Sequence, residues 1–469
     1  MNKNILCLII IAILTVGCKS KPGSDIAKNE VFSSKNKPNV IVILADDLGF
    51  ADVGYNGCKD IPTPNIDALS LEGVTFSNGY VTGSVCGPTR AGLLTGRYQQ
   101  RFGSEFNPGP RKLTKDGKVG VPLSETFIST RLKRIGYKTA CFGKWHLGGE
   151  SGDKDLYPLN RGFDEFFGFL EGAALYIDPE NSEKKYMRGN DEVTMEEEYY
   201  TDAITRESVS FIDRNKDNPF FLYVPYNAVH APLQAPEKYL KEFDHIKHPK
   251  RKLLAAMNFA MDKSIGDIMS NLKKHGLEEN TMVFFLSDNG GKPKGNFSYN
   301  VPLRGEKGQF YEGGIHVPFV VKWKNHFPEN MIYNEPVSSL DIMPTIMNAV
   351  GVQVDPSWHL DGIDMSTFID NKTLLRPQRE LFWKSNNKYA VRNNKWKIVK
   401  MGTKLELFNL LQDPYETTDL SKTHPEQVKA LMEVYKKWDS KNIPAQYGYG
   451  SEEKFPYKVV RTRRTELKR

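Results

Sequence analysis

The strongest constraint on the fold is a set of short, unbroken apolar runs. Asn39-Val-Ile-Val-Ile-Leu44 is continuous and β-branched, the pattern of a strand buried on both faces. Lys138-Thr-Ala-Cys-Phe142, Pro219-Phe-Phe-Leu-Tyr-Val224 and Thr281-Met-Val-Phe-Phe-Leu286 repeat it. Between them lie helical segments at residues 63–72, with Thr63 as the expected N-cap and Pro64 as the first helical residue, and at 124–135, 201–215 and 251–275. In the last, Leu254, Met257, Met261, Ile265, Ile268, Met269 and Leu272 form one apolar stripe. Strands that alternate with helices predict an α/β sheet. With 469 residues there is room for one large domain and a smaller one.

Each run ends in chemistry. The first enters Asp46-Asp47, the second Gly143-Lys144-Trp145-His146, the third a loop with His230 between Pro225 and Pro232, and the fourth Asp288-Asn289-Gly290-Gly291. In α/β folds the carboxyl ends of parallel strands are where sites are built. Two adjacent acids at the end of a buried strand need compensation. Asp46, Asp47, Asp288 and Asn289 are hard oxygen donors with no Cys or His alongside, a set that suits Ca²⁺ or Mg²⁺ rather than Zn²⁺. Lys144 and His146 stand two apart, so an extended segment would turn both to one side. Residues 149–200 lack apolar periodicity and read as an irregular insertion.

The segment Cys86-Gly-Pro-Thr-Arg-Ala-Gly-Leu-Leu-Thr-Gly-Arg97 reads as a helix, with Pro88 in the first turn and Gly96 at the end. Cys86 then sits at a helix N-terminus, which favours an anion or a thiolate, and Arg90 lies one turn on. A lone Cys there would be a small apolar residue. The run Cys-x-Pro-Thr-Arg with Leu-Thr-Gly-Arg, however, resembles the signature of type I sulfatases, with Thr89 where Ser or Ala is more usual. Gly143-Lys-Trp-His-Leu-Gly148 is similar to a second motif of that family, and the loop Leu303-Arg-Gly-Glu-Lys307 to Gly314 to a third. His316 stands where many members carry Arg, and nothing is assigned to it.

The resemblance implies an alkaline-phosphatase-like fold: a large mixed sheet flanked by helices at 38–350, and a smaller C-terminal α+β domain on an antiparallel sheet at 351–469. The Asn-rich alternation over residues 380–408 and the helix 425–439 fit that second part. It implies that Cys86 becomes a Cα-formylglycine whose hydrated form attacks sulfur, beside a divalent metal on Asp46, Asp47, Asp288 and Asn289. Arg90 would support the nucleophile, Lys144 and Lys307 would hold sulfate oxygens, His230 would protonate the leaving alcohol and His146 would help expel sulfate. The implied partners are a sulfated oligo- or polysaccharide and a sulfatase-maturating enzyme, with no nucleic acid. Tyr98-Gln-Gln-Arg101-Phe-Gly103 and the Trp- and Tyr-rich C-terminal part look like those of members acting on algal galactans. Two other readings are a phosphatase or phosphodiesterase of the same superfamily, which usually has Ser or Thr as nucleophile, and a non-catalytic glycan-binding lipoprotein.

Residues 1–17 read as an export signal, with Lys3 before the apolar stretch Leu6–Leu14. Gly17-Cys18 and the polar stretch after it resemble a bacterial lipoprotein signal, although Thr15 replaces the usual Leu. Lipidation of Cys18 and ordinary secretion are both open. Either way the expected location is the periplasm or the cell surface, with residues 18–37 as a flexible linker. Cys58 and Cys141 could pair or stay reduced. The formal charge of +7 suits an anionic substrate and equally an ordinary solvated surface. The basic tail from Arg461 to Arg469 reads as a solvated end.

Overall fold

A computed structural model describes residues 37–108, 119–150, 152–177, 186–193, 198–369 and 378–447. The expected signal, Cys18, nearly all of the linker and the basic tail lie outside the described residues. In chain order the strands are β1 (Asn39–Ala45), β2 (Val74–Phe76), β3 (Gly79–Tyr80), β4 (Lys138–Lys144), β5 (Glu165–Phe169), β6 (Tyr186–Arg188), β7 (Asp191–Val193), β8 (Phe220–Pro225), β9 (Thr281–Ser287), β10 (Phe319–Lys322), β11 (Met331–Tyr333), β12 (Val337–Ser338), β13 (Leu381–Ser385), β14 (Lys388–Arg392), β15 (Trp396–Met401) and β16 (Lys404–Asn409). The helices are α1 (Pro64–Leu71), α2 (Cys86–Thr95), α3 (Ile128–Arg134), α4 (Tyr200–Asn215), α5 (Glu237–Leu240), α6 (Pro249–Lys274), α7 (Glu312–Ile315), α8 (Ile342–Ala349) and α9 (Pro425–Asp439).

A ten-stranded mixed sheet runs in the order β11-β2-β10-β9-β1-β8-β4-β5-β6-β7 among the described residues. Its centre, β9-β1-β8-β4-β5, is parallel throughout. β1 shows why the apolar runs are unbroken. Val40, Val42 and Leu44 enter one core with residues of α2, α3 and α8, whereas Ile41, Ile43 and Ala45 enter the other with α1, α4 and α6. A strand with helices on both faces has no side left for polar residues. Because β1, β4, β8 and β9 are parallel, their polar ends gather at one edge of the sheet.

Three expectations need correction. The segment 149–200 is not merely irregular: it supplies β5, β6 and β7, with β5 paired parallel to β4. The helix expected from residue 124 starts at Ile128. Thr63 precedes α1 but does not cap it with its side chain, which instead accepts from Gly54 N and donates to Asp67. The Asp262 carboxylate from α6 takes the orphan N–H groups of Asn65 and Ile66, at 3.0 and 2.8 Å.

The antiparallel sheet β13-β14-β15-β16 and α9 form the C-terminal layer. Arg101 joins it to the main body, reaching Asp361 at 2.9 Å and Trp438 O at 3.0 Å. A second joint is fully buried: the Lys397 ammonium lies 2.6 Å from Glu312 of α7 and 2.9 Å from Glu416. Burial pushes Glu416 up to about 7, with Glu312 adding to the push and Lys397 opposing it. Two buried carboxylates share one ammonium. Lys397→Met is therefore expected to cost roughly 3–5 kcal/mol in denaturant unfolding, the range for removing one partner of a buried pair.

Candidate active site

The local fold brings all ten predicted residues to the carboxyl edge of the sheet. Asp46 follows β1 directly and is tied by backbone bonds to Ala228 and Val229 of the β8 loop, both at 2.8 Å. Asp47 adopts a left-handed φ of 60°, held by its N–H to Asp288 Oδ1 at 3.2 Å. Such backbone is costly for a non-glycine residue and concentrates at functional sites. α2 begins at Cys86 and ends at Gly96, whose φ of 66° suits glycine. Gly143 lets β4 approach β8: a Cβ there would lie 2.0 Å from Pro225 O.

The Cys86 sulfur sits 3.3 Å from Asp46 Oδ1, and the Lys307 ammonium donates to it at 3.5 Å. Arg90 is completely buried. Its Nε and Nη2 donate to Asp288 Oδ2 at 2.9 and 2.7 Å, and Nη1 to Lys144 O at 2.8 Å. Lys144 Nζ reaches Asp46 Oδ2 at 2.6 Å and Lys307 Nζ reaches Asp47 Oδ2 at 2.8 Å. Asn289 donates to Asp47 at 2.7 Å, while its own Oδ1 is buried with no hydrogen-bond partner.

Burial alone would raise the Asp46 pKa, but Lys144, His230, Arg90 and Lys307 hold it well below the usual carboxylate range. Asp288 is pushed up to about 6 by burial and by Asp46, against the pull of Arg90. Crowded carboxylates with an orphaned amide oxygen beside them are a donor set for a hard dication. The residues present therefore fit a metal. Cys86 and His230 also come within reach: one ligand atom from each of Asp46, Asp47, Cys86 and His230 falls within a 4.8 Å cluster. The resemblance implied Cys86 beside the metal, whereas the residues read alone set no Cys or His next to these acids. The approach of His230 depends on the β8 loop folding back onto Asp46.

Among the protein groups alone, the surroundings of Cys86 oppose a thiolate. The residue does open a helix, but burial pushes its thiol pKa up, and Asp288 and Asp46 push it further. A protonated thiol is a poor nucleophile. An oxygen nucleophile at the same position would sit better against acids poised for a hard cation.

Lys144 and His146 do not share one face of an extended segment. β4 ends at Lys144, and His146 turns away from extended geometry at φ 55°. The His146 ring still faces the site's charges. Burial lowers its pKa, followed by Lys144 and Arg90, and its Nδ1 is buried without a partner. His230 places Nε2 3.6 Å from Asp47 Oδ2, with Nδ1 against Ala231 O at 2.5 Å. His316 is structural, held between Glu312 and Ser77 O at 3.1 and 2.9 Å. Cys58 and Cys141 are free.

Among the described residues, acids and cations interleave around Cys86 at the carboxyl edge of a ten-stranded sheet of alkaline-phosphatase-like architecture. A sulfatase family model matches residues 38–352, and a model for the N-sulphoglucosamine sulphohydrolase C-terminal region matches 305–441. The chain belongs to the sulfatase family and is a sulfuric ester hydrolase. It is 31% identical to mouse (Mus musculus) arylsulfatase J, over 88% of this chain and 77% of that one. Ps i-CgsB, whose structure was solved in complex with k-i-k-neocarrahexaose, is 38% identical over 88% of this chain and 95% of its own, with a TM-score of 0.82. The PsFucS1 sulfatase from Pseudoalteromonas sp. is 26% identical over 87% and 91%, with a TM-score of 0.73. Members of this family generally use a formylglycine and a divalent metal. No helix among the described residues is long and apolar enough to cross a membrane.

Proposed function

We propose that this sulfatase removes sulfate from a sulfated oligo- or polysaccharide, with Cys86 matured to Cα-formylglycine and Ca²⁺ held by Asp46, Asp47, Asp288 and Asn289. The carrying observation is the Cys86 sulfur, enclosed between Asp46 at 3.3 Å and Lys307 at 3.5 Å. Formylglycine would supply a hydrated aldehyde hydroxyl as nucleophile, and the dication would lower the cost of negative charge on it. Arg90 fixes Asp288 and the backbone of Lys144, so it sets the geometry of the cluster. Lys144 and Lys307 approach from β4 and from the loop before α7, and hold sulfate oxygens. His146 binds the formylglycine hydroxyl through its free Nδ1 and assists sulfate expulsion.

His230 protonates the leaving alcohol from Nε2, because Nδ1 is occupied by Ala231 O. Burial lowers its pKa, while Asp46 and Asp47 oppose the shift and favour the protonated ring. An alkoxide is a far poorer leaving group than a nitrophenolate. His230→Ala should therefore lower kcat on an alkyl or sugar sulfate by about 10²–10⁴-fold, and on 4-nitrophenyl sulfate by much less. Equal losses on both would remove the proton-donor role.

An algal galactan is the favoured substrate, supported by the oligosaccharide bound to Ps i-CgsB. The leader and Cys18 support export and lipid anchoring, and the Cys86 motif supports a maturating enzyme as partner. The test is release of inorganic sulfate from neocarrahexaose by matured protein. Activity lost on chelation and restored by Ca²⁺ is the expected result. Release from another sulfated glycan alone would move the substrate class, and release from none would overturn the reading.

A further inference from the structure

Beside the active site lies a cavity of about 180 Å³ that the catalytic groups do not use. One wall is the Gly83–Pro88 approach to α2, a second is Phe106–Asn107, and a third is the β13–β14 hairpin with Lys384, Ser385 and Lys388. Its lining is continuous in chain with the site: Val85 adjoins Cys86 and Gly308 adjoins Lys307. Gly308 N binds Ser84 O at 2.8 Å and Gly87 N binds Asn107 Oδ1 at 2.9 Å, so the two walls are fixed against each other.

The hairpin is equally fixed. Gln100 donates to Lys384 O at 2.8 Å, Asn386 N donates to Glu105 at 2.8 Å, and Trp383 Nε1 donates to Val81 O at 2.6 Å. The charges in this hairpin have different fates. Lys384 is matched by Asp439 at 2.7 Å and by Glu105 at 3.6 Å. Lys400 donates to Asn387 O in the same turn. Lys388 is exposed at the rim and enters no ion pair among the described residues. Phe106 and Phe310 add aromatic side chains to the lining.

We propose that this cavity is a glycan subsite: it takes the sugar ring next to the one that carries the scissile sulfate, and Lys388 pairs with a second sulfate on that neighbouring ring. The inference rests on the sulfatase reading and extends it to the recognition of a multiply sulfated chain. The volume equals about six waters at the liquid's share of space, room for one ring rather than two. Aromatic faces for the ring and a rim cation for its anionic substituent are the groups such a ligand needs. The hairpin belongs to the C-terminal layer, so that layer would set substrate preference while the large sheet performs the chemistry.

The test compares matured wild type, Lys388→Ala and Lys388→Arg on neocarrahexaose and on 4-nitrophenyl sulfate, which has no neighbouring ring. Lys388→Ala should raise KM for the hexasaccharide about tenfold with little change in kcat, the size of one charge-assisted contact at a partly screened site. The ratio of kcat/KM between hexasaccharide and aryl sulfate should fall by a similar factor, and Lys388→Arg should recover most of it. An unchanged ratio in Lys388→Ala overturns the subsite. If matured wild type releases sulfate from neither compound, the galactan substrate reading fails instead. The subsite is then read by titrating neocarrahexaose into the Cys86→Ala chain with and without Lys388→Ala. A tenfold weaker affinity supports it and equal affinities overturn it.

Discussion

Cys86→Ala and Cys86→Ser are each expected to abolish turnover, by at least about 10⁴-fold in kcat, the scale of losing a nucleophile that acts as part of a unit. The reason is the number of oxygens, not only the loss of a thiol. A hydrated formylglycine carries two hydroxyls, one to take the sulfate and one to expel it. Alanine has none, and serine has only the first. The fold should survive both changes, because the side chain is small and its contacts are with Asp46 and Lys307 rather than with the apolar core. Sulfate release and thermal unfolding measured on the same preparations check this. A serine variant with near-native turnover would refute the mechanism.

Arg90→Met should be the most damaging single change to the site's framework. The guanidinium is wholly buried and spends three donors on Asp288 and Lys144 O. Its removal leaves Asp288 beside Asp46 with less compensation. A loss of roughly 3–5 kcal/mol is expected on this ground, with kcat down about 10²–10³-fold from the displaced cluster. Arg90→Lys should rescue little, since one ammonium cannot reproduce the fork to Asp288 and the bond to the Lys144 carbonyl together. Denaturant unfolding beside sulfate-release kinetics separates the two effects. If Arg90→Met keeps full stability, the cations do not balance the acids in the way described.

The central strands were legible because burial on both faces leaves a plain mark, an apolar run with no alternation. The acids were legible for a related reason: Asp46, Asp47, Asp288 and Asn289 each follow such a run, and parallel pairing brings the ends together. What escaped was set by distant contacts. Thr63 looked like a cap for α1, but its competitor Asp262 is 197 residues from Asn65 in the chain. β5 is short and glycine-interrupted, and becomes a strand only by pairing with β4. The approach of His230 to Asp47 comes from the backbone bonds between Asp46 and the β8 loop. The rise of the Cys86 thiol pKa reflects burial first and then Asp288 and Asp46, neither acid adjacent to it in sequence.

The chemical state of residue 86 decides which group is the nucleophile, and peptide mass spectrometry over residues 80–101 reads it directly. The protein would be produced together with an anaerobic-type sulfatase-maturating enzyme. The predicted result is loss of the thiol and an aldehyde at position 86, present in protein that releases sulfate and absent from protein that does not. An intact Cys86 under conditions that convert a control sulfatase would contradict the nucleophile and the mechanism built on it.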